Sequence, residues 1–375
     1  MGYNIISGDS HIDLRFMPED LFESSVRADM KDKMPRVVET SSGRRWMATG
    51  TDLGVVGQNV DQSTFSTEMG TRWNAMIAAG FYDEPEKGYH PTTPELRIKD
   101  QNKDGVDAEV IYGLLRISAL LNDNEQIVEI FRIYNDWLAD FCKTNPDRFA
   151  GLACIPNHDP KAAANELRRA AEIGLHGGDF GVAGAVKPIY HRDWDVLWEA
   201  SHDTGLSISF HTTGLLPRAI DKSEAPAYDE VFHNIRTTMF QLQGAEFVTS
   251  AIFSGACERY PNFKFVLGEC GVSWLPYVID RMDHEGEGQT GLSMKPSEYW
   301  NRQGFSTFQK ENVAGQLIHL VGEDSVIWGS DYPHQDGVWP DSLQVIEDNL
   351  KDLKNPQAKQ KVIRDNAAKL YGFKL

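Results

Sequence analysis

A chain of 375 residues, 41% of them hydrophobic, is long enough to bury a large core, and it carries a formal net charge of -18. With a pI near 5.0, that charge excludes nucleic acid or an anionic membrane surface as a natural partner, since both repel an acidic protein. No apolar run approaches the roughly 20 residues needed to span a bilayer.

The opening MGYNIISGDSH has neither a basic stretch nor a long apolar core, so no secretory leader is expected. Cys142, Cys154, Cys257 and Cys270 form no C-x-x-C pair, which points to a reduced, cytoplasmic protein. Cys270 adjoins Glu269 and is a weak nucleophile candidate, because no basic residue lies beside it.

YNIISGD reads as a first strand. About 80 residues then separate it from a helix at PELRIKDQNKDG, residues 94–105. Inside that span lies PRVVETSSGRRWMATG, a hairpin-like stretch with Ser-Gly at its tip. A connection this long is usually functional, and residues 14–95 are expected to form a lid or a dimer contact over the barrel mouth. From residue 100 onward, buried-strand and helix patterns alternate. AEVIYG (108–113) is followed by a helix whose stripe is Ile127, Phe131, Tyr134, Leu138 and Phe141. FAGLACIP precedes a helix capped by Asp159, opened by Pro160 and closed by Gly174. LHGGDFGV, LSISFH, FKFVLG, GFSTF and SVIWGSD continue the series, with a long helical stretch over 228–255. Eight such strands, each followed by helix, predict one closed parallel (β/α)8 barrel domain over residues 1–375.

Catalytic groups of such barrels occupy the C-terminal ends of the strands. Here those ends carry Asp9 and His11, His211, Glu269 and Asp331. Residues two apart on a strand share a face, so Asp9 and His11 point the same way. Singly, each has a plain structural reading: a strand cap, a turn residue before Pro333, a packed histidine. Together, carboxylates and imidazoles without a thiolate suit Zn²⁺, Mn²⁺ or Fe²⁺. Asp9, His11, His211, Glu269 and Asp331 are therefore the expected metal residues, with Asp331 and Glu269 also candidates for proton transfer. His334, His233 and His176 are candidates for substrate binding or a second metal. Three carboxylates with one divalent ion sum to about -1, which favours a two-ion centre. Asp179 shares strand four with His176, and the glycines between them obscure which faces inward.

ISGDSHID, DGVDAEVIYG, FSGACERYPNFKFVLGECGVSWLPYVIDRMDH, KPSEYW and VIWGSDYPHQDGVWPDS together resemble the amidohydrolase-related family. This is the branch that includes aminocarboxymuconate semialdehyde decarboxylase and resorcylate-type decarboxylases. The resemblance implies a metal-bearing barrel with ligands at His11, His211 and Asp331, and a proton-accepting Asp331. Two positions depart from the decarboxylases: Asp9 stands where His or Glu is usual, and Glu269 where a catalytic His is usual. The Asp-x-His, Gly-Glu and Ser-Asp-Tyr-Pro-His combination also resembles the non-heme diiron monooxygenase of platensimycin biosynthesis. The leading expectation is hydrolysis of a small amide, ester or lactone by metal-activated water. The alternatives are diiron oxygenation and non-oxidative decarboxylation of an aromatic or unsaturated acid. For the last, Arg44, Arg45, Arg72 and Arg116 are candidates to clamp a carboxylate. A homodimer is the default assembly.

Overall fold

The structure, a computed structural model, describes residues 2, 4–57, 67–211, 231, 234–235 and 237–375. Eight parallel strands form the centre: β1 (Ile6–His11), β5 (Ala108–Tyr112), β6 (Phe149–Ile155), β7 (Gly177–Gly181), β8 (Ser207–His211), β9 (Phe265–Gly268), β10 (Gly304–Phe308) and β11 (Val326–Trp328). Their order in the sheet is their order in the chain. A parallel bridge between Ser10 and Tyr332 joins the chain after β11 back to β1, so the sheet curls into a (β/α)8 barrel. Closure needs a very close approach: a Cβ on Gly329 would lie 2.5 Å from the Cβ of Asp9.

The strands are buried almost throughout, as expected where helices cover one face and the barrel interior the other. In β8, Phe210 packs outward against Trp198 and Phe247, with ring centroids 5.9 Å apart in each pair. Its neighbours Ser209 and His211 therefore face inward, by the two-residue period of a strand. Tyr371 and Phe373, at the end of the chain, cluster with Ile6, Val110, Leu152, Val266 and Ile327. That cluster fills the barrel beneath the strand ends where the histidines lie.

The helices match their sequence signals. Asn124–Thr144 buries Ile127, Phe131, Tyr134, Leu138 and Phe141, and the Asp123 carboxylate accepts from the Glu125 and Gln126 N–H groups. Asp159 does the same for Lys161 and Ala162, and Gly174 ends that helix at φ 87°. The stretch expected to be helical over 228–255 contains a 3₁₀ turn, Phe240–Leu242, and the helix Gln243–Phe253. Among the described residues, no helix is long and apolar enough to cross a membrane.

The long first connection contains an antiparallel sheet of β2 (Arg36–Thr40), β3 (Gly43–Ala48) and β4 (Thr51–Val55), with the hairpin turn at the expected Ser-Gly. The connection is tied to the barrel on both sides of β1. Lys33 pairs with Asp123, 2.7 Å away, at the start of the helix after β5. Arg72 reaches Asp341 at 2.7 Å and the Trp339 carbonyl at 2.8 Å, in the loop after β11. Trp73, Met76 and Phe81 pack with Phe16, Tyr332 and Trp339 in one buried aromatic cluster.

Candidate active site

Asp9, His11, His211, Glu269 and Asp331 meet at the C-terminal ends of β1, β8, β9 and β11, and all five are buried. His11 Nε2 lies 3.3 Å from Asp9 Oδ1 and 3.2 Å from Asp331 Oδ1. His211 Nε2 lies 3.9 Å from the same Asp9 oxygen and 3.7 Å from Glu269 Oε2. The two imidazoles stand edge to face with centroids 4.9 Å apart, and Tyr112 packs against both.

Two groups of three converge, with donor atoms within 4.8 Å of one another: Asp9, His11 and His211, and His11, Asp331 and His334. Asp9 Oδ1 and His11 Nε2 make no hydrogen bond, although both are buried. A buried acceptor and ring nitrogen left this way are costly unless something sits between them. A divalent cation fits: the donors are two imidazole nitrogens and carboxylate oxygens, suited to manganese, zinc or iron. Cysteine is not part of the set. Cys270 donates to the Gly268 carbonyl at 3.2 Å, and burial pushes its thiol well above the usual range. Its candidacy as a nucleophile ends there.

Three neighbours complete the cluster. His334 stacks on His11 at 4.2 Å and places Nδ1 2.8 Å from Asp331 Oδ1. Its Nε2 lies 3.5 Å from Asp13, an acid the strand-end reading missed. Asp13 was nonetheless signalled, because Asp9, His11 and Asp13 keep the period of two and Asp13 is still extended at φ -88°, ψ 153°. Asp179 faces the interior from β7, with Oδ2 accepting from the Gly113 N–H at 3.1 Å. His176 does not join the cluster. It precedes β7, at the opposite end of the barrel, where Nδ1 meets the Tyr371 carbonyl at 2.6 Å. The structure thus puts His176 away from the site for which it was a substrate or second-metal candidate, and the inward side chain of this strand belongs to Asp179. His233 lies outside the described residues. Of the candidate arginines, Arg44 pairs with Glu19, Arg45 with Asp52 and Arg72 with Asp341, while Arg116 is exposed.

Electrostatics divide the acids. Burial and the neighbouring His334 push His11 down, but the Asp331 and Asp9 carboxylates beside its ring nitrogen prevail and lift it to about 10. Burial raises Asp331, yet His334 and His11 hold it below the usual carboxylate range. Asp13 behaves in the same way and falls to about 2. Glu269 goes the other way: burial, then repulsion by Asp331 and Asp336, push it well above its ordinary value. Burial also lifts Asp179 to about 7. Glu269 and Asp331 share a further peculiarity, a left-handed backbone with φ 55° at each.

These shifts predict opposite pH behaviour with and without metal. The His11 proton stabilises the metal-free fold fully below 6.5, and that stabilisation is lost as pH rises toward about 10. Asp13 stabilises it above 3.8, and that contribution is lost as pH falls toward about 2. The metal-free melting temperature should therefore peak between these limits and decline toward pH 10. Metal must displace the His11 proton, so its affinity should rise with pH over the same interval. Calorimetric titration in buffers of different ionisation enthalpy should show proton release; binding independent of pH from 6.5 to 9 would contradict it.

Comparison with known proteins places this geometry. The chain is 25% identical over 287 residues to 2-amino-3-carboxymuconate-6-semialdehyde decarboxylase of Dictyostelium discoideum, covering 75% of this chain and 77% of that one. It is 25% identical over 311 residues to gamma-resorcylate decarboxylase of a Polaromonas strain, covering 76% and 92%. Among solved structures, an amidohydrolase of Mycobacterium avium subsp. paratuberculosis superposes with a TM-score of 0.73 at 18% identity, over 100% of this chain and 99% of that one. A dihydroxybenzoic acid decarboxylase of Polaromonas, holding manganese and 2-nitroresorcinol, gives 0.63 at 19% identity, over 99% and 97%. Residues 83–373 match the family described as Amidohydrolase, and with its barrel and its strand-end cluster of acids and histidines the chain belongs to that family.

Proposed function

We propose that this protein is a metal-dependent non-oxidative decarboxylase of a small aromatic or unsaturated carboxylic acid. The observation that carries this reading is the pair of groups that share His11 at the barrel mouth, Asp9 with His11 and His211, and His11 with Asp331 and His334. The curated relatives aligned over about three quarters of the chain are decarboxylases, which favours carbon–carbon cleavage over the hydrolysis expected from sequence.

Asp9, His11 and His211, with Asp331 beside His11, would hold a divalent ion, which when bound would supply positive charge for the substrate's carboxylate and an adjacent oxygen. The rest falls to the chain. Decarboxylation consumes one proton: the carbon bearing the carboxylate is protonated, the bond to that carboxylate breaks, and its electron pair returns to the ring as CO₂ leaves. Glu269 is suited to donate, because its surroundings favour the protonated form. Asp331, held ionised between two imidazoles, is suited to ligation. The described part of the 14–95 insertion, docked by Arg72 and Trp73 on the loop after β11, is placed to act as a lid that would keep water from the mouth.

Glu269 also favours a second arrangement. This one has Glu269 ionised: Asp9, Glu269 and Asp331 around one divalent ion then leave a net charge of about -1, which a second ion beside Glu269 would offset. That arrangement would suit oxygen chemistry with iron.

The test is direct. Protein loaded with Mn²⁺, and in parallel with Fe²⁺, is incubated with a panel of hydroxybenzoates, unsaturated acids, amides and lactones, and CO₂ release, hydrolysis and O₂ uptake are monitored together with metal content per chain. Stoichiometric CO₂ without O₂ uptake is the expected result. Hydrolysis of amides or lactones with no CO₂ from any acid would overturn the reading, and O₂ consumption with two irons per chain would replace it with the oxygenase.

A further inference from the structure

The Asp9 carboxylate is treated unequally on its two oxygens. Oδ2 accepts from the Thr307 hydroxyl at 2.7 Å and from the Glu269 N–H at 3.0 Å. Oδ1 makes no hydrogen bond and faces His11 and His211. The Thr307 hydroxyl has one proton, and Asp9 takes it; its lone pair accepts the same Glu269 N–H, 2.7 Å away. Thr307 thus closes a three-membered polar ring on β10, a strand that contributes none of the five cluster residues. Its backbone carbonyl also holds the Gly271 N–H at 2.9 Å, fixing the turn that presents Glu269.

We infer that Thr307 is a positioning residue for the metal centre: it keeps Asp9 a one-oxygen donor and anchors the left-handed backbone of Glu269. A buried carboxylate without such a partner can rotate about its terminal bond or chelate an ion through both oxygens. Either motion would carry Oδ1 away from the point shared with His11 and His211. With Oδ2 saturated by two donors, the rotamer is locked before metal arrives. Side chains that orient a ligand in this way typically change metal affinity 10- to 100-fold when removed. The inference rests on Asp9 being a metal donor, as the proposed function requires.

A purely structural hydroxyl would satisfy a buried N–H and affect only stability. The experiment separates the two roles. Thr307→Val, Thr307→Ala and Thr307→Ser are compared with wild type by calorimetric Mn²⁺ titration, Mn²⁺ electron paramagnetic resonance, and melting of the metal-free protein. The expectation is roughly 10- to 100-fold weaker Mn²⁺ binding and an altered resonance line shape in Thr307→Val, with both restored in Thr307→Ser. Thr307→Ala should repeat the Val result and serves in its place if Val does not fold. Unchanged Mn²⁺ affinity and line shape in a folded Val or Ala variant would overturn the assignment while leaving the metal centre intact. A wild-type protein that takes up no Mn²⁺ would overturn the metal-centre reading, and Thr307's role with it.

Discussion

His11→Ala should leave a folded barrel that neither retains metal nor turns over substrate. His11 Nε2 stands between Asp9 and Asp331, 3.3 and 3.2 Å away, and belongs to both converging groups. Losing a residue that merely orients a ligand weakens binding roughly 10- to 100-fold; losing the shared central donor should cost more than about 100-fold. The fold should persist, because its core lies elsewhere, in the aromatic and aliphatic packing between strands and helices. The metal-free variant should nevertheless be less stable than metal-free wild type near neutral pH, since two buried carboxylates lose their protonated partner. Metal content by mass spectrometry and CO₂ release check this together. Full metal occupancy in the variant would remove His11 from the centre.

Arg97→Leu should give the largest loss of stability among the polar substitutions, about 3–5 kcal/mol. Arg97 is completely buried, donates to Glu109 Oε1 at 2.6 Å, and also donates to the carbonyls of His11 and Pro91, each at 2.9 Å. Its guanidinium lies 5.1 Å from the centre of the Tyr332 ring. Removing it leaves an uncompensated carboxylate on β5 and an unsatisfied carbonyl at the end of β1. The double variant Arg97→Leu/Glu109→Leu should recover a large part of the loss, because the stranded charge goes too. Urea denaturation of the metal-free protein measures both; a single-variant cost below about 1 kcal/mol would show the pair to be dispensable.

Much of the barrel was legible because each strand is a short run buried on both faces and punctuated by caps such as Asp159 and Gly174. Site residues at strand ends were legible for the same reason: the period of two carries Asp9 and His11 to one face. His176 was misread because Gly177 and Gly178 carry no side chains to mark the phase, and the strand begins only after it. Thr307 left no signal, since a threonine in GFSTF is an ordinary strand former until its hydroxyl is seen against Asp9. Where the insertion docks was equally hidden. Its aromatic cluster joins Phe16, Trp73 and Phe81 to Tyr332 and Trp339, and no local pattern dictates pairings that distant.

The left-handed backbone at Glu269 has a consequence for engineering this scaffold. Aspartate, as at 331, tolerates that conformation better than most residues, whereas a glutamate held there costs roughly 1–2 kcal/mol. Burial and repulsion by Asp331 penalise its charge further. Glycine would relieve both burdens at once, so screening variants for heat resistance alone would tend to enrich glycine at 269. Each such winner would be a sturdier barrel without the proton donor we propose, and a thermostabilised library of this protein should be sorted for turnover before it is sorted for melting temperature.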